Sequence, residues 1–241
     1  MKHTAPETQP PSPVSGRVQE DAEKLTAGVN GLYAMACLTV SAAGALLVLQ
    51  TEDGLARALF CYVAASCLVL GLALVTGAPF WVFKTSRGAL SAPGWLLYGP
   101  YYLLSEALFL AYAACSRQPA FNRVAPDLFL GRRPNFANRR AFASLGVRSI
   151  LDLTAEFAEP AFATRCANYR SLPLWDASAP TVEDIAQAVN WLKGQPGPAL
   201  VHCALGRGRA CLIAAAWLLD HGFAETPEDA LERVRARRGK I

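Results

Sequence analysis

The chain has 241 residues, of which 53% are hydrophobic and 17% are charged, and its formal net charge is +4. The length allows one catalytic domain of about 120 residues and a further region. The composition is too apolar for an ordinary soluble chain. Its basic residues are not interleaved with aromatic residues that stack bases, which argues against a nucleic-acid partner.

Residues 1–24 are predicted to form a disordered or charged N-terminal tail. Met1–Ser15 is rich in Pro, Thr and Ser and has no apolar periodicity, so it cannot bury enough apolar surface to fold. The charged stretch that ends at Lys24 can continue as a helix into the apolar region that follows.

Two runs without charge come next, at Thr26–Gln50 and Ala58–Phe83. Each is longer than the ~20 apolar residues that cross a bilayer, and the linker between them contains Asp53-Gly54, a turn signal. We predict an all-α transmembrane hairpin with spans at about 26–50 and 58–83. A pair of buried core helices is the alternative. A cleaved signal peptide fits poorly, because the first run starts late and the second follows at once.

The third apolar segment, 91–115, completes a membrane region at 25–116. It is aromatic but contains Glu106, Pro93 and Pro100, and the prolines break or kink a helix. It can be a third span, a re-entrant segment or an interfacial helix. Basic residues follow both the second span and this segment, which places both of its ends in one compartment. We therefore favour two spans and an interfacial or re-entrant segment.

Residues 117–241 have a different character, with 17 Lys and Arg against 12 Asp and Glu. A basic domain beside a bilayer is attracted to anionic lipid, although mixed surface charge often does no more than solvate a protein.

Strands alternate with helices in residues 117–241, which predicts an α/β domain. The predicted strands are 127–131, 147–153, 169–174 and 199–201. The predicted helices are 137–145, a short one within 154–165, 182–193, 209–219 and one that starts at 226.

The loop between the last predicted strand and the next helix carries the chemistry. Cys203 and Arg209 bracket five residues, which we predict to bind substrate. They are Ala204, Leu205, Gly206, Arg207 and Gly208. Such a loop can turn its backbone N–H groups inward at a helix N-terminus and bind an anion. A thiol placed there is favoured as thiolate, and an Arg fork binds two phosphate oxygens. The pattern predicts attack of Cys203 on a phosphate ester.

His202-Cys203 followed by Arg209 resembles the signature of the cysteine-dependent protein tyrosine and dual-specificity phosphatase superfamily. The portion from Gly206 to Arg209 is also similar to loops in lipid-directed members. The resemblance covers about Val124–Ile241 and implies a central sheet flanked by helices. A buried structural Cys is one alternative. A rhodanese-like sulfur-transfer loop is another, but it does not explain His202.

The resemblance implies further roles. Asp176, in a loop after a predicted strand, would be the general acid that protonates the leaving oxygen; a loop Asp that only turns the chain is the alternative. Asp152 and Glu156 are competing carboxylates, and Asp152, within a strand, is a candidate for a structural hydrogen bond. His202 would orient the loop and tune the thiol. We predict no metal and no cofactor, since no His, Asp and Glu cluster has ligand spacing.

Two features depart from the family pattern. Ala210 stands where a Ser or Thr usually follows the signature Arg, and that hydroxyl assists breakdown of the phosphocysteine, so turnover is expected to be slow. The chain stops at Ile241, where family members commonly continue with further helix, so the sheet is expected to lack a covering element.

These patterns predict a membrane-anchored phosphatase that acts through a phosphocysteine. Its substrate would be a phospholipid or lipid-linked phosphate, or alternatively a phosphoprotein modified on Tyr and Ser/Thr. A phosphate-binding adaptor with little turnover is a third reading, supported only by Ala210. We predict an integral protein of the inner or plasma membrane that contacts membrane lipids. Because Cys203 must stay reduced, its phosphatase domain is expected to face the cytoplasm.

Overall fold

The structure is a computed structural model that describes residues 13–77, 83–165, 168–176 and 178–239, with side chains from residue 31 onward. The predicted tail lies outside the described residues up to residue 12. From Pro13 the chain is helical, as the sequence allowed for the charged stretch.

Helices α1 (Pro13–Gln50) and α2 (Gly54–Thr76) form a hairpin. Ser41 Oγ donates a hydrogen bond of 2.8 Å to the carbonyl of Ala64 and ties the two helices together. The segments 31–50 and 54–76 are long and apolar enough to cross a membrane, and only 11% and 28% of their most apolar windows are buried. Helices this exposed do not fit the alternative of a buried core pair, and they are compatible with membrane association.

Helix α2 begins and ends earlier in the chain than the predicted second span. The side chain of Asp53 accepts a hydrogen bond of 2.7 Å from the N–H of Ala56, which starts α2 before the charge-free run begins and places Arg57 inside the helix. Gly77, with φ of 65°, ends α2 after Thr76. Its positive φ closes the last turn, where a glycine is least costly.

A short hairpin and a kinked helix connect α2 to the rest of the chain. Lys84 and Leu90 pair in the hairpin at 83–91, which we call the connecting hairpin. Helix α3 (Ala92–Cys115) follows; it accepts Pro93 in its first turn and kinks at Tyr98, ahead of Pro100. The kink confirms the prediction from the prolines.

The α/β domain is built on a five-stranded sheet of order β1-β2-β5-β3-β4. Its first two strands are antiparallel, and the other neighbours are parallel. The strands are β1 (Phe121–Ala125), β2 (Leu128–Arg132), β3 (Ser149–Thr154), β4 (Asn168–Leu174) and β5 (Ala199–Cys203). The edge strand β1 was not predicted, because Asn122 and Arg123 interrupt its apolar pattern.

Helices cover both faces of the sheet. They are α4 (Arg139–Ser144), α5 (Ala161–Thr164), α6 (Val182–Lys193), α7 (Arg209–Asp220) and α8 (Pro227–Arg238). Thr181 and Thr226 cap α6 and α8, since each side chain accepts a hydrogen bond from the N–H three residues ahead. Ala230 and Val234 of α8 are fully buried in the core with residues of β2, β3 and β5. The expectation that the sheet lacks a covering element is therefore wrong, whereas the predicted class, a central sheet flanked by helices and preceded by a helical hairpin, is confirmed.

Candidate active site

The predicted signature loop lies between the central strand β5 and helix α7. Cys203, the last residue of β5, is 3% exposed. Gly206, at the turn of the loop, has a φ of 67°, and a Cβ on it would overlap the carbonyl group of Gly131 on β2. The loop thus packs directly on the neighbouring strand, which requires a glycine at this position.

Arg238 of α8 holds the loop from behind. Its Nε donates to the carbonyl of Gly206 and its Nη2 to the carbonyl of Leu205, both at 2.9 Å. The N–H and the preceding C=O of a planar trans peptide point in opposite directions. The N–H groups of Gly206 and Arg207 therefore point away from Arg238, as an anion-binding loop requires. From the sequence, Arg238 was only one member of a basic cluster.

Arg209 is buried at the start of α7 and is held by a carboxylate and two carbonyls. Its Nη1 donates to Leu174 O at 2.7 Å and to Leu153 O at 3.2 Å. Its Nη2 donates to Glu156 Oε1 at 2.9 Å, and the other Glu156 oxygen is 3.3 Å from Nη1. Burial opposes the charge of Arg209, but Glu156 and Cys203 outweigh it and raise its pKa above the usual value. Glu156, named from the sequence only as a competing carboxylate, is thus the anchor of Arg209.

Asp176 lies beyond the end of β4, and the structure brings it to the signature loop. Its Oδ1 accepts a hydrogen bond of 2.7 Å from Nη2 of Arg209. Its side chain is 65% exposed, so its carboxyl group is open to solvent at the mouth of the site.

His202 is fully buried behind Cys203. Its Nε2 lies 3.6 Å from Glu159 Oε1 and 4.0 Å from Asp152 Oδ1. Burial lowers the pKa of His202 to about 4 although Asp152 opposes this, so the ring is neutral at physiological pH. The ligand atoms of Asp152, Glu159 and His202 lie within 4.8 Å of one another. Sequence spacing did not predict this cluster, because β3, β5 and a loop meet here only in the fold.

Helix α3 forms one wall of the site. Tyr101 packs in a cluster with Ala155 and the buried Trp175, which precedes Asp176. Further along, Phe109 packs against Phe157 and against Ala204 of the signature loop. The other side of α3 exposes leucines. They are Leu96, Leu103, Leu104, Leu108 and Leu110.

A groove of about 740 Å³ lies beside the loop, between the ends of α3 and α8. We call it the basic groove, since Arg117, Arg207, Arg237 and Arg238 line it and no acidic residue does among the described residues. Arg207 lies over the ring of Tyr112, 5.1 Å from its centroid, and donates to Gln118 at 3.1 Å. A groove of this charge favours an anionic ligand.

Residues 119–239 match the family model described as PTP-SAK: Swiss Army Knife protein, DSP-PTPase phosphatase domain. The chain belongs to this dual-specificity phosphatase family. Its domain is of the phosphoric monoester hydrolase class, as the sequence resemblance implied.

Two curated relatives match the phosphatase domain. Human dual specificity protein phosphatase 2 is 26% identical over 135 residues, which cover 52% of this chain and 42% of the relative. Phosphatidylglycerophosphate phosphatase PTPMT1 of Arabidopsis thaliana is 28% identical over 129 residues, which cover 50% of this chain and 38% of the relative. The chain thus spans less than half the length of either relative.

Two solved structures are similar to this chain at low identity. Tk-PTP in the active form is 22% identical, with a TM-score of 0.46 and coverage of 51% of this chain and 87% of that one. PTPMT1 in complex with PI(5)P is 20% identical, with a TM-score of 0.45 and coverage of 51% and 86%.

Proposed function

We propose that this chain is a membrane-anchored, cysteine-dependent phosphatase that hydrolyses the phosphate monoester of a phospholipid or lipid-linked phosphate. The observation that carries the proposal is the meeting of Cys203, Arg209 and Asp176 at one anion-binding loop. The family assignment supports the reaction class.

The reaction has two steps. Cys203 thiolate attacks phosphorus, so that an S–P bond forms while the ester P–O bond breaks, and Asp176 gives its proton to the leaving oxygen. Water then attacks the phosphocysteine, Asp176 takes the water proton, and the thiolate leaves. Arg209 and the N–H groups of residues 204–208 bind the phosphoryl oxygens and stabilise their charge in both steps. His202 is neutral and supports the end of β5 without taking a proton.

Three features support a lipid substrate. The hairpin of α1 and α2 and the outer side of α3 expose apolar residues, and α3 forms a wall of the site. The basic groove opens beside the loop, where Arg207 can bind a second charge of a head group. Anchoring the site at a bilayer raises the effective concentration of a lipid substrate. The Arabidopsis relative is named as a phosphatase of a phospholipid.

The same features support a cytoplasmic orientation in the inner or plasma membrane. The basic groove suits the anionic cytoplasmic leaflet, where each nearby Lys or Arg contributes about 1 kcal/mol. Cys203 has to remain a thiol, which the cytoplasm provides.

A phosphoprotein phosphatase is the second candidate, because the human relative is named as a dual specificity protein phosphatase. Measuring phosphate release by the full chain in mixed micelles distinguishes a lipid phosphatase from a phosphoprotein phosphatase. The substrates are phospholipids with a terminal monoester and peptides carrying phosphotyrosine, phosphoserine or phosphothreonine, with Cys203→Ser as control. We expect the lipids to be hydrolysed with the higher kcat/KM. Preference for peptides would contradict the lipid proposal.

A further inference from the structure

The connecting hairpin enters the interior of the phosphatase domain, although it lies outside the residues that match the family. The N–H of Glu159 donates to the carbonyl of Gly88 at 2.7 Å. Gly88 is buried with a φ of 78°, and a Cβ on it would lie 2.5 Å from Tyr169 Oη. The hairpin is therefore fitted closely against β4 and the loop after β3.

Lys84 of this hairpin is a fully bonded buried cation. Its side chain is 1% exposed. Its Nζ donates to Asp152 Oδ2 at 2.6 Å, to Thr154 O at 2.6 Å and to Thr154 Oγ1 at 2.9 Å. An ammonium group has three protons to donate. A buried cation is tolerated only when it is paired and its protons are bonded, and Lys84 meets both conditions.

Asp152 has no free lone pair for a further cation. Besides Lys84, it accepts from Tyr169 Oη at 2.6 Å, from Thr154 N at 2.8 Å and from Thr154 Oγ1 at 2.7 Å. These four bonds use the roughly four acceptor positions of a carboxylate. Lys84 therefore supplies the positive charge that balances Asp152 beside Glu159 and His202.

The cluster surrounds His202, the residue before Cys203. Asp152 pairs with His202 in the register of β3 with β5. The titratable and charged groups that face the ring come from four elements. They are Asp152 of β3, Glu159 of the following loop, Lys84 of the connecting hairpin and Arg133 after β2. Glu106 of α3 pairs with Arg133 at 2.7 Å, so α3 also reaches the cluster.

We propose that Lys84 is a positioning residue of the active site. Its bonds to Asp152 and Thr154 fix the end of β3 beside His202, whose Nε2 lies 4.0 Å from Asp152 Oδ1, and through this packing they fix the end of β5 that carries Cys203. The N-terminal half of the chain is then part of the catalytic structure and not only an anchor. The positioning role rests on the proposed function, because it concerns the geometry of the proposed nucleophile.

The test compares Lys84→Met with Arg87→Met in the full chain in detergent. Both substitutions remove one cation from the connecting hairpin, but Arg87 is exposed. With an aryl phosphate as substrate, Lys84→Met should lower kcat by about tenfold or more, because small displacements of a nucleophile are costly. Arg87→Met should stay within about twofold of the unchanged chain, as surface substitutions usually do.

A spectroscopic signal separates positioning from general loss of structure. The chain has three histidines, so ¹³C-labelled histidine gives three ring signals by NMR. The His202 signal should not titrate above pH 5.5 in the unchanged chain or in Arg87→Met. In Lys84→Met, Asp152 loses its cation and attracts a proton to His202, so the pKa of His202 should rise by about one unit or more. If the pKa of His202 and the kcat are both unchanged in Lys84→Met, the proposal is overturned.

A second variant covers the case in which Lys84→Met does not fold. Lys84→Met with Asp152→Asn removes both charges and avoids an unpaired buried carboxylate. It should fold, yet keep kcat about tenfold or more below the unchanged chain. Unchanged kcat in the double variant would contradict the proposal. If the unchanged chain hydrolyses no phosphate ester, the proposed function fails, while the His202 titration still tests the link to Lys84.

Discussion

Asp176 Oδ1 accepts a hydrogen bond of 2.7 Å from Nη2 of Arg209, so the proposed acid is paired with the proposed phosphate-binding residue. The Arg209 side chain is 2% exposed and that of Asp176 is 65% exposed. A phosphoryl oxygen that accepts a hydrogen bond from Nη2 competes with Asp176 for the N–H proton of Arg209. We infer that substrate binding releases the carboxyl group of Asp176 beside the leaving oxygen.

Asp176→Ala should slow hydrolysis of alkyl phosphates by about 10²-fold or more, because an alkoxide leaves poorly without a proton. Aryl phosphates whose phenols have a low pKa should be affected far less. The measurement is kcat for a series of esters that differ in leaving-group pKa. If alkyl and aryl esters slow equally, Asp176 is not the acid.

Gly206→Ala should strongly weaken phosphate binding. The added Cβ would overlap the carbonyl of Gly131, and the φ of 67° is strained for any residue with a Cβ. Binding of vanadate, an analogue of phosphate, should weaken by about 10²-fold. Gly208→Ala is the matched control, since a Cβ there meets nothing within 4 Å. Equal affinity in the two variants would show that the loop does not need the conformation at Gly206.

Arg238→Leu and Arg237→Leu form a second matched pair of neighbours. Both residues line the basic groove, but Arg238 is buried against the carbonyls of Leu205 and Gly206, whereas Arg237 is exposed. The Arg238 variant should lose activity on every substrate, by about tenfold or more, because it loosens the loop. The Arg237 variant should lose activity only on anionic lipids. Loss on aryl phosphates in both variants would contradict the separate roles.

His202→Gln should destabilise the protein less at pH 5 than at pH 7. The folded-state pKa of His202 is about 4, below its ordinary value of 6.5, so the unfolded chain binds more protons between these values. Stability that depends on neutral His202 is therefore lost as pH falls from 6.5 toward 4, by about 2 kcal/mol between pH 7 and 5. The gap in Tm between the two proteins should narrow at low pH. A constant gap would mean that His202 is not held neutral.

The sequence was sufficient for features that depend on near neighbours in the chain. The loop from Cys203 to Arg209, the strand before it and the helix after it follow from apolar runs and glycines. Thr181 and Thr226 were recognisable as caps because the residues that they bond lie three positions ahead. The position of Asp176 after a strand end was also local information.

Features that depend on distant pairs were not accessible in this way. Lys84 and Asp152 are 68 positions apart, and no spacing rule links them. Glu156 and Glu159 have similar surroundings in the sequence, yet the first anchors Arg209 and the second faces His202. Helix α3 forms a wall of the site by packing against residues of the phosphatase domain that are distant in the sequence. No local sequence pattern predicts such contacts.

Rapid-quench labelling with a ³²P-monoester tests the central claim, attack by Cys203, most directly. Because Ala210 supplies no hydroxyl to assist breakdown, we expect a burst of covalent protein label approaching one phosphoryl group per chain, located on Cys203. Ala210→Ser should shorten the life of the label, and Cys203→Ser should show neither label nor product. Steady product release without any labelled protein, or an active Cys203→Ser variant, would contradict the account.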